Sequence, residues 1–244
     1  MAVNHNPNLV TDGIIGYWDV GNRTSYDGSS TTCFDLVGAS DGTLTNSPTF
    51  NSGNMGSITF DGADDYISTP SAEHATFNVG ANGLTVGVWS KLTGSGESPM
   101  RLVGKESAAS LTTLDGWAFC VNNSESKPLS LKASVGLDST NSLAQSNEVV
   151  TVSGWQYSVM VYNEDSDNKT KLYLNGEQLT SLDTDTAGVG SLTNNSYGPH
   201  IGNIANGTTK TFMGYIAMVH CYSRALTTNE VAQNFNATKG RFGL

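Results

Sequence analysis

The sequence predicts an all-β chain: a two-sheet antiparallel jelly-roll sandwich with one short C-terminal helix. Three observations carry that expectation. Short runs alternating apolar and polar residues recur from end to end. Turn formers separate them, Gly alone accounting for 27 of 244 residues. Helix signals are confined to one late segment. Period-two alternation is what a half-buried strand requires, because successive side chains point to opposite faces of a sheet. The length suits one large all-β unit, since such domains reach roughly 200 to 250 residues. We therefore read residues 1–12 as an N-terminal arm, 13–240 as the sandwich and 241–244 as a tail.

The elements follow in order. Ile14 to Trp18, Ser57 to Phe60, Leu84 to Trp89 and Gly116 to Val121 read as strands. In Leu129 to Val135, residues Leu129, Leu131, Ala133 and Val135 share one face, and Ser130, Lys132 and Ser134 the other. In Trp155 to Tyr162 the shared face is Trp155, Tyr157, Val159 and Val161, and the polar run Asn163 to Asn168 then reads as a hairpin tip. Lys171 to Leu174 and Phe212 to Tyr222 complete the set, Asn175-Gly176 closing a turn between them. Thr227 and Glu230 have capping-box spacing, and Val231 and Phe235 lie four apart. A stripe that narrow predicts a helix over a sheet edge. Residues 19–55 and 181–198 are rich in Gly, Ser, Thr, Asn and Asp and read as long surface loops, where function tends to reside.

Composition excludes several function classes. With 37% hydrophobic and 14% charged residues the chain is not of the disordered type. A net charge of −10, with 12 basic residues scattered along the sequence, leaves no cationic cluster for a nucleic-acid backbone. The acidic balance reads as a surface that keeps copies apart. Cys33, Cys120 and Cys221 are far apart among apolar neighbours, which predicts core thiols and a reducing site of synthesis. No window approaches the ~18 apolar residues of a membrane span, and the first residues lack a signal-peptide pattern.

Four motifs then occur in a telling order: Gly16-Tyr-Trp-Asp19, Asp35-Leu-Val-Gly-Ala-Ser-Asp-Gly-Thr-Leu44, Ile58-Thr-Phe-Asp-Gly-Ala-Asp-Asp-Tyr-Ile67 and Tyr222-Ser-Arg-Ala-Leu226. They resemble the laminin G-like members of the concanavalin A-like lectin/glucanase superfamily. Leu84 to Trp89, Tyr173-Leu-Asn-Gly176 and Leu226 to Phe235 extend the resemblance over most of the chain. In Phe60 to Tyr66 the acids Asp61, Asp64 and Asp65 have two readings. Asp61-Gly62 makes a tight turn while Asp64 and Asp65 accept turn amides, or the acids offer hard oxygens to Ca²⁺, as in many relatives. A lectin-like site combines aromatic faces with Asn and Asp in loops, which makes Tyr26, Trp117, Tyr162 and Tyr197 candidates for stacking on a glycan.

Hydrolases of the superfamily carry Glu-x-Asp-x-x-Glu on an alternating strand. The nearest segment, Glu164-Asp-Ser-Asp167, falls in the hairpin tip and lacks the final Glu. His5, His74, His200 and His220 form no metal or triad signature, and His220 sits in a strand pattern as a packed or hydrogen-bonded side chain. The expectation is therefore non-enzymatic. Pro7 to Gly13 and Asn234 to Gly243 resemble versions of this domain in structural proteins of tailed bacteriophages. That resemblance implies a virion structural or decoration protein made in the host cytoplasm. Its partners would be other virion proteins, further copies of itself and a cell-surface glycan, with attachment through Pro7 to Val10 or Phe242-Gly-Leu244. The alternatives are a carbohydrate-binding adhesin and a glucanase-like hydrolase.

Overall fold

The computed structural model describes residues 7–94, 98–106, 110–124, 127–163, 167–205 and 209–244. His5, Glu164 to Ser166 and the first six residues fall outside that set. The strands are β1 (Ile14–Asp19), β2 (Thr32–Cys33), β3 (Gly42–Thr45), β4 (Thr49–Asn51), β5 (Ser57–Asp61), β6 (Tyr66–Ser68), β7 (Leu84–Leu92), β8 (Met100–Lys105) and β9 (Trp117–Ser124). They continue as β10 (Lys127–Val135), β11 (Ser142–Val149), β12 (Gln156–Asn163), β13 (Lys169–Leu174), β14 (Glu177–Gln178), β15 (Leu182–Thr186), β16 (His200–Ile201) and β17 (Met213–Tyr222). One sheet runs β14-β13-β12-β7-β17-β5-β4, with β1 also on β17; the other runs β15-β11-β10-β9-β8-β16-β6-β3-β2. The ladders between these strands are antiparallel, as the alternation predicts. The stretches 19–55 and 181–198 are less irregular than their composition suggests, because β2 to β4 and β15 lie inside them.

Between the sheets lies one large apolar core that includes Trp18, Phe60, Phe77, Trp117, Phe119, Met160 and Tyr162. Cys33, Cys120 and Cys221 are free and buried, as expected of core thiols. A second cluster occupies the outer face of the first sheet and contains Trp89, Tyr157, Val159, Val161, Tyr173, Val231 and Phe242. The predicted face of Trp155, Tyr157, Val159 and Val161 is thus real, but it is the outer face; Met160 and Tyr162 point inward. Strand β12 is buried on both sides, and for such a strand alternation alone does not say which set faces the main core.

Helix α1 (Thr228–Thr238) begins with the predicted capping box: Glu230 N donates to Thr227 Oγ1 at 3.3 Å, and Thr227 N donates to Glu230 Oε2 at 2.8 Å. Its position corrects the edge expectation. Phe235 stacks on Trp89 and Tyr157 with ring centroids 5.9 and 6.4 Å away, and Trp89 Nε1 donates to Thr238 Oγ1 at 2.8 Å. Trp89 belongs to the central strand β7, so the helix covers the sheet's face. The narrow stripe suffices because the sheet contributes most of the buried aromatic surface.

The ends join the same layer. Val10 N donates to Asn234 Oδ1 at 2.8 Å, and the hydroxyl of Tyr222 donates to the Val10 carbonyl at 2.9 Å. Phe242 stacks 4.1 Å from Trp89 and is 7% exposed. The segments expected to be a free arm and tail are therefore seated on the body from Val10 at one end and through Phe242 at the other.

Candidate functional site

At one end of the second sheet the loops around residues 110–116, 137–141 and 189–195 enclose a cleft of about 430 Å³. Seven of its nine lining residues are polar: Thr112, Thr113, Asp115, Asp138, Ser139, Asn141 and Thr193. No cationic side chain lines it, so the cleft suits a ligand that donates hydrogen bonds from hydroxyls better than an anion.

Local chemistry fixes these loops. Gly116 has φ +88°, and a Cβ there would fall 2.0 Å from the Lys105 carbonyl, so only glycine fits the turn into β9. Asn195 Nδ2 donates to the carbonyls of Lys105 and Asp115 at 3.0 and 2.8 Å. In return Lys105 Nζ donates to the Asn195 carbonyl at 2.7 Å, and burial holds that amine down to about 8. Asn141 ties its own loop to the 110–116 loop, accepting from Leu137 N at 3.0 Å and donating to the Leu111 and Leu114 carbonyls at 3.4 and 3.3 Å. Bridges Leu137–Leu192 and Thr140–Val189 close the third side. On the wall, Thr193 Oγ1 is buried with no hydrogen-bond partner among the described residues. A buried unpaired hydroxyl costs roughly 1 to 3 kcal/mol, which a ligand or an ordered water repays.

The acidic corner lies elsewhere, in the turn from β5 to β6. Asp61, Asp64 and Asp65 each bring a carboxylate oxygen within 4.8 Å of the others, so the structure gathers all three. Asp65 Oδ2 accepts from Asp61 N at 3.1 Å, as expected of a turn former, and the second turn amide, Ala63 N, is taken at 2.8 Å by Asp61 Oδ1 where Asp64 was expected. Asp65 is buried, and that burial raises its carboxyl to about 6; the Asp61 amide opposes the shift, and the charges of Asp61 and Asp64 add to it. Clustered carboxylate oxygens are the hard donors Ca²⁺ takes, so the residues fit that ion, which would offset their mutual repulsion.

Of the aromatic candidates, three are enclosed. Trp117 and Tyr162 are wholly buried in the main core, and Tyr26 is 4% exposed, its hydroxyl donating to the Ser30 carbonyl at 2.8 Å. Stacking on a sugar requires a bare ring face, which corrects the expectation for Tyr26, Trp117 and Tyr162. Tyr197 keeps an exposed ring, and its amide donates to Asn195 Oδ1 at 2.9 Å, beside the frame of the cleft. Thr112 to Asp115 and Asp138 to Asn141 carried no signal beyond turn-forming composition, whereas the third wall falls in the stretch 181–198 read as a functional loop.

Two antiparallel sheets packed face to face with one short helix on the outer face define a jelly-roll β-sandwich protein. The chain belongs to the Concanavalin A-like lectin/glucanases superfamily, whose model matches residues 61–232. A comparison with the curated proteins found no match. Among solved structures it resembles Trypanosoma rangeli sialidase in complex with sialic acid (TM-score 0.65, 14% identity, 96% of this chain and 34% of that one). It also resembles the receptor-binding domain of botulinum neurotoxin type G (0.60, 10%, 92% and 51%). A third is domain 4 of AbnA, an extracellular arabinanase from Geobacillus stearothermophilus, in complex with arabinotriose (0.59, 14%, 91% and 97%). The chain thus spans about a third of the sialidase's length and nearly all of the AbnA domain. Such identities show a shared fold.

Proposed function

We propose that this chain is a non-catalytic carbohydrate-binding module whose sugar site is the polar cleft between the end loops. The observation that carries the reading is the cleft itself: a rigid, cation-free pocket of hydroxyl, amide and carboxylate groups that includes the unpartnered Thr193 hydroxyl. Membership of a lectin/glucanase superfamily and likeness to the arabinotriose complex support it. Hydrolysis would call for two carboxyl groups facing one another across a bound sugar, roughly 5 to 9.5 Å apart. The cleft holds two carboxylates, Asp115 and Asp138, of which Asp138 is committed through Oδ1 to the Ser191 amide at 3.0 Å, a loop-bracing role that supports the binding reading.

The particle context implied by Pro7 to Gly13 and Asn234 to Gly243 is part of the same proposal: a virion surface module, made in the host cytoplasm, held by neighbouring virion proteins. Because Val10 and Phe242 are seated on the body, we place its attachment on the folded surface.

The test is titration of the purified chain with neutral and acidic oligosaccharides, wild type against Thr193→Val, which removes the hydroxyl and keeps the shape. Binding that weakens about tenfold in the variant, with the sugar recovered intact, is expected. Equal binding by both, or turnover of the sugar, would refute the reading.

A further inference from the structure

The geometry points to a second saccharide-binding subsite, on the opposite sheet, built from Trp155, Tyr215, Ser57 and Lys91; it rests on the carbohydrate reading above and extends it to a surface that shares no residue with the loop cleft. Ile58 and Phe60 of β5 face the core, so Ser57 and Thr59 face outward. On that outer face Asn51 pairs with Ser57, Tyr215 with Thr59, and Lys91 with Tyr215. Trp155, just before β12, leans toward Tyr215 with ring centroids 6.4 Å apart. Together with Asn51 and Asn54 these side chains enclose a pocket of about 100 Å³.

Two features mark the pocket as prepared for a hydroxylated ligand. First, Ser57 lines the pocket and is 1% exposed, and its buried hydroxyl has no hydrogen-bond partner among the described residues. Secondly, Lys91 enters no ion pair among those residues; its ammonium lies 5.8 Å over the Tyr215 ring. A buried unpaired hydroxyl and an ammonium held over an aromatic ring outside any ion pair match the hydroxyl-bearing edge of a sugar. The volume has room for roughly three waters, hence for a hydroxymethyl arm or two ring hydroxyls. The ring itself would rest on the half-exposed indole of Trp155, which Phe242 backs at 4.8 Å, while the Lys91 ammonium over Tyr215 meets its hydroxyls.

The surrounding loop is braced for this. Asn54, Met55 and Gly56 have φ values of +52°, +69° and +134°, a run of left-handed backbone that ordinary turns avoid. Arg241 holds the loop, donating from Nε to the Asn54 carbonyl at 2.7 Å and from Nη2 to the Gly56 carbonyl. Asn54 Oδ1 then accepts from Trp155 Nε1 at 3.0 Å and sets the indole's orientation.

Fluorescence isolates this site, because Trp18, Trp89 and Trp117 are buried and Trp155 is the tryptophan within reach of a quencher. A panel of neutral, uronic-acid and sialic-acid oligosaccharides is screened, and the tightest binder is carried into acrylamide-quenching titrations of wild type, Ser57→Ala, Lys91→Gln and Thr193→Val. The expected result is protection of Trp155 from quenching, with affinity for that protected site reduced at least fivefold in Ser57→Ala and Lys91→Gln at unchanged melting temperature. Unchanged quenching, with binding lost only in Thr193→Val, would overturn the second subsite and leave the loop cleft standing. No binding anywhere in the panel would overturn both.

Discussion

The outer face of the first sheet has two halves that a sequence cannot tell apart. In one, Trp89, Tyr157 and Tyr173 lie under α1 and Phe242, sealed from water. In the other, Trp155 meets Phe242 only along one side, centroids 4.8 Å apart, and Tyr215 carries the Lys91 ammonium, so that both rings stay half-exposed beside Asn51 and Ser57. Strand pattern and aromatic content are alike in both. The difference is the cap, and the cap is a short helix whose own apolar stripe is narrow. An aromatic residue on a strand becomes core or contact surface according to what a distant segment covers.

The largest expected effect comes from removing the cap's last contact. Phe242→Ala takes away a ring stacked on Trp89 and should cost about 3 kcal/mol in urea unfolding, with the Trp89 emission shifting red as water enters. Stability unaltered by that change would erase the distinction between the halves.

The next effect is pH-dependent and belongs to the covered half. His220 is fully buried there, hydrogen-bonded through Nε2 to the Tyr157 hydroxyl at 3.0 Å, and burial pushes its imidazole down to about 3. A folded value below the unfolded one of roughly 6.5 means its contribution is complete above pH 6.5 and is lost as pH falls toward 3. The slope should approach about 1.4 kcal/mol per pH unit, and His220→Gln should flatten it. Asp65 works the other way. Raised to about 6 from roughly 3.9, it favours the folded state most below pH 4 and loses that advantage as pH rises through 6. Urea titrations of Asp65→Asn and His220→Gln between pH 4 and 7 separate the opposed slopes.

Thr227→Ala, which loosens the cap at its origin, should cost about 1 kcal/mol by removing the capping box. Ca²⁺ at ten times its dissociation constant should add about 1.4 kcal/mol at pH 7, an increment lost in Asp65→Asn. It would act on β5, the strand that carries Ser57 at one end and Asp61 at the other. A melting curve indifferent to Ca²⁺ and chelator would leave Asp61, Asp64 and Asp65 as turn formers. Smallest is Tyr215→Ala in the open half, expected within about 0.5 kcal/mol because the ring is not enclosed.

Much of the fold was legible because its signals are local. Alternation located most of the longer strands but not β8 or β11, and Thr227 with Glu230 located the helix start within a residue. The face of β12 was not legible, since a strand buried on both sides gives no contrast between its two sets of side chains. For the same reason Trp117 and Tyr162 read as candidate sugar platforms, when only the packing of the second sheet reveals them as core. The acidic turn could be read because its three acids are close in sequence. The loop cleft could not, because its walls come from three stretches separated by about 25 to 80 residues and joined only through side chains such as Asn141 and Asn195.

The carbohydrate reading is tested most directly by mapping amide chemical shifts of the isotope-labelled chain during titration with the tightest-binding oligosaccharide. Saturable shifts are expected at Thr112 to Asp115, Asp138 to Asn141 and Thr193, whatever occurs around Ser57. A bound sugar that leaves those three loops unperturbed would contradict the assignment of the cleft.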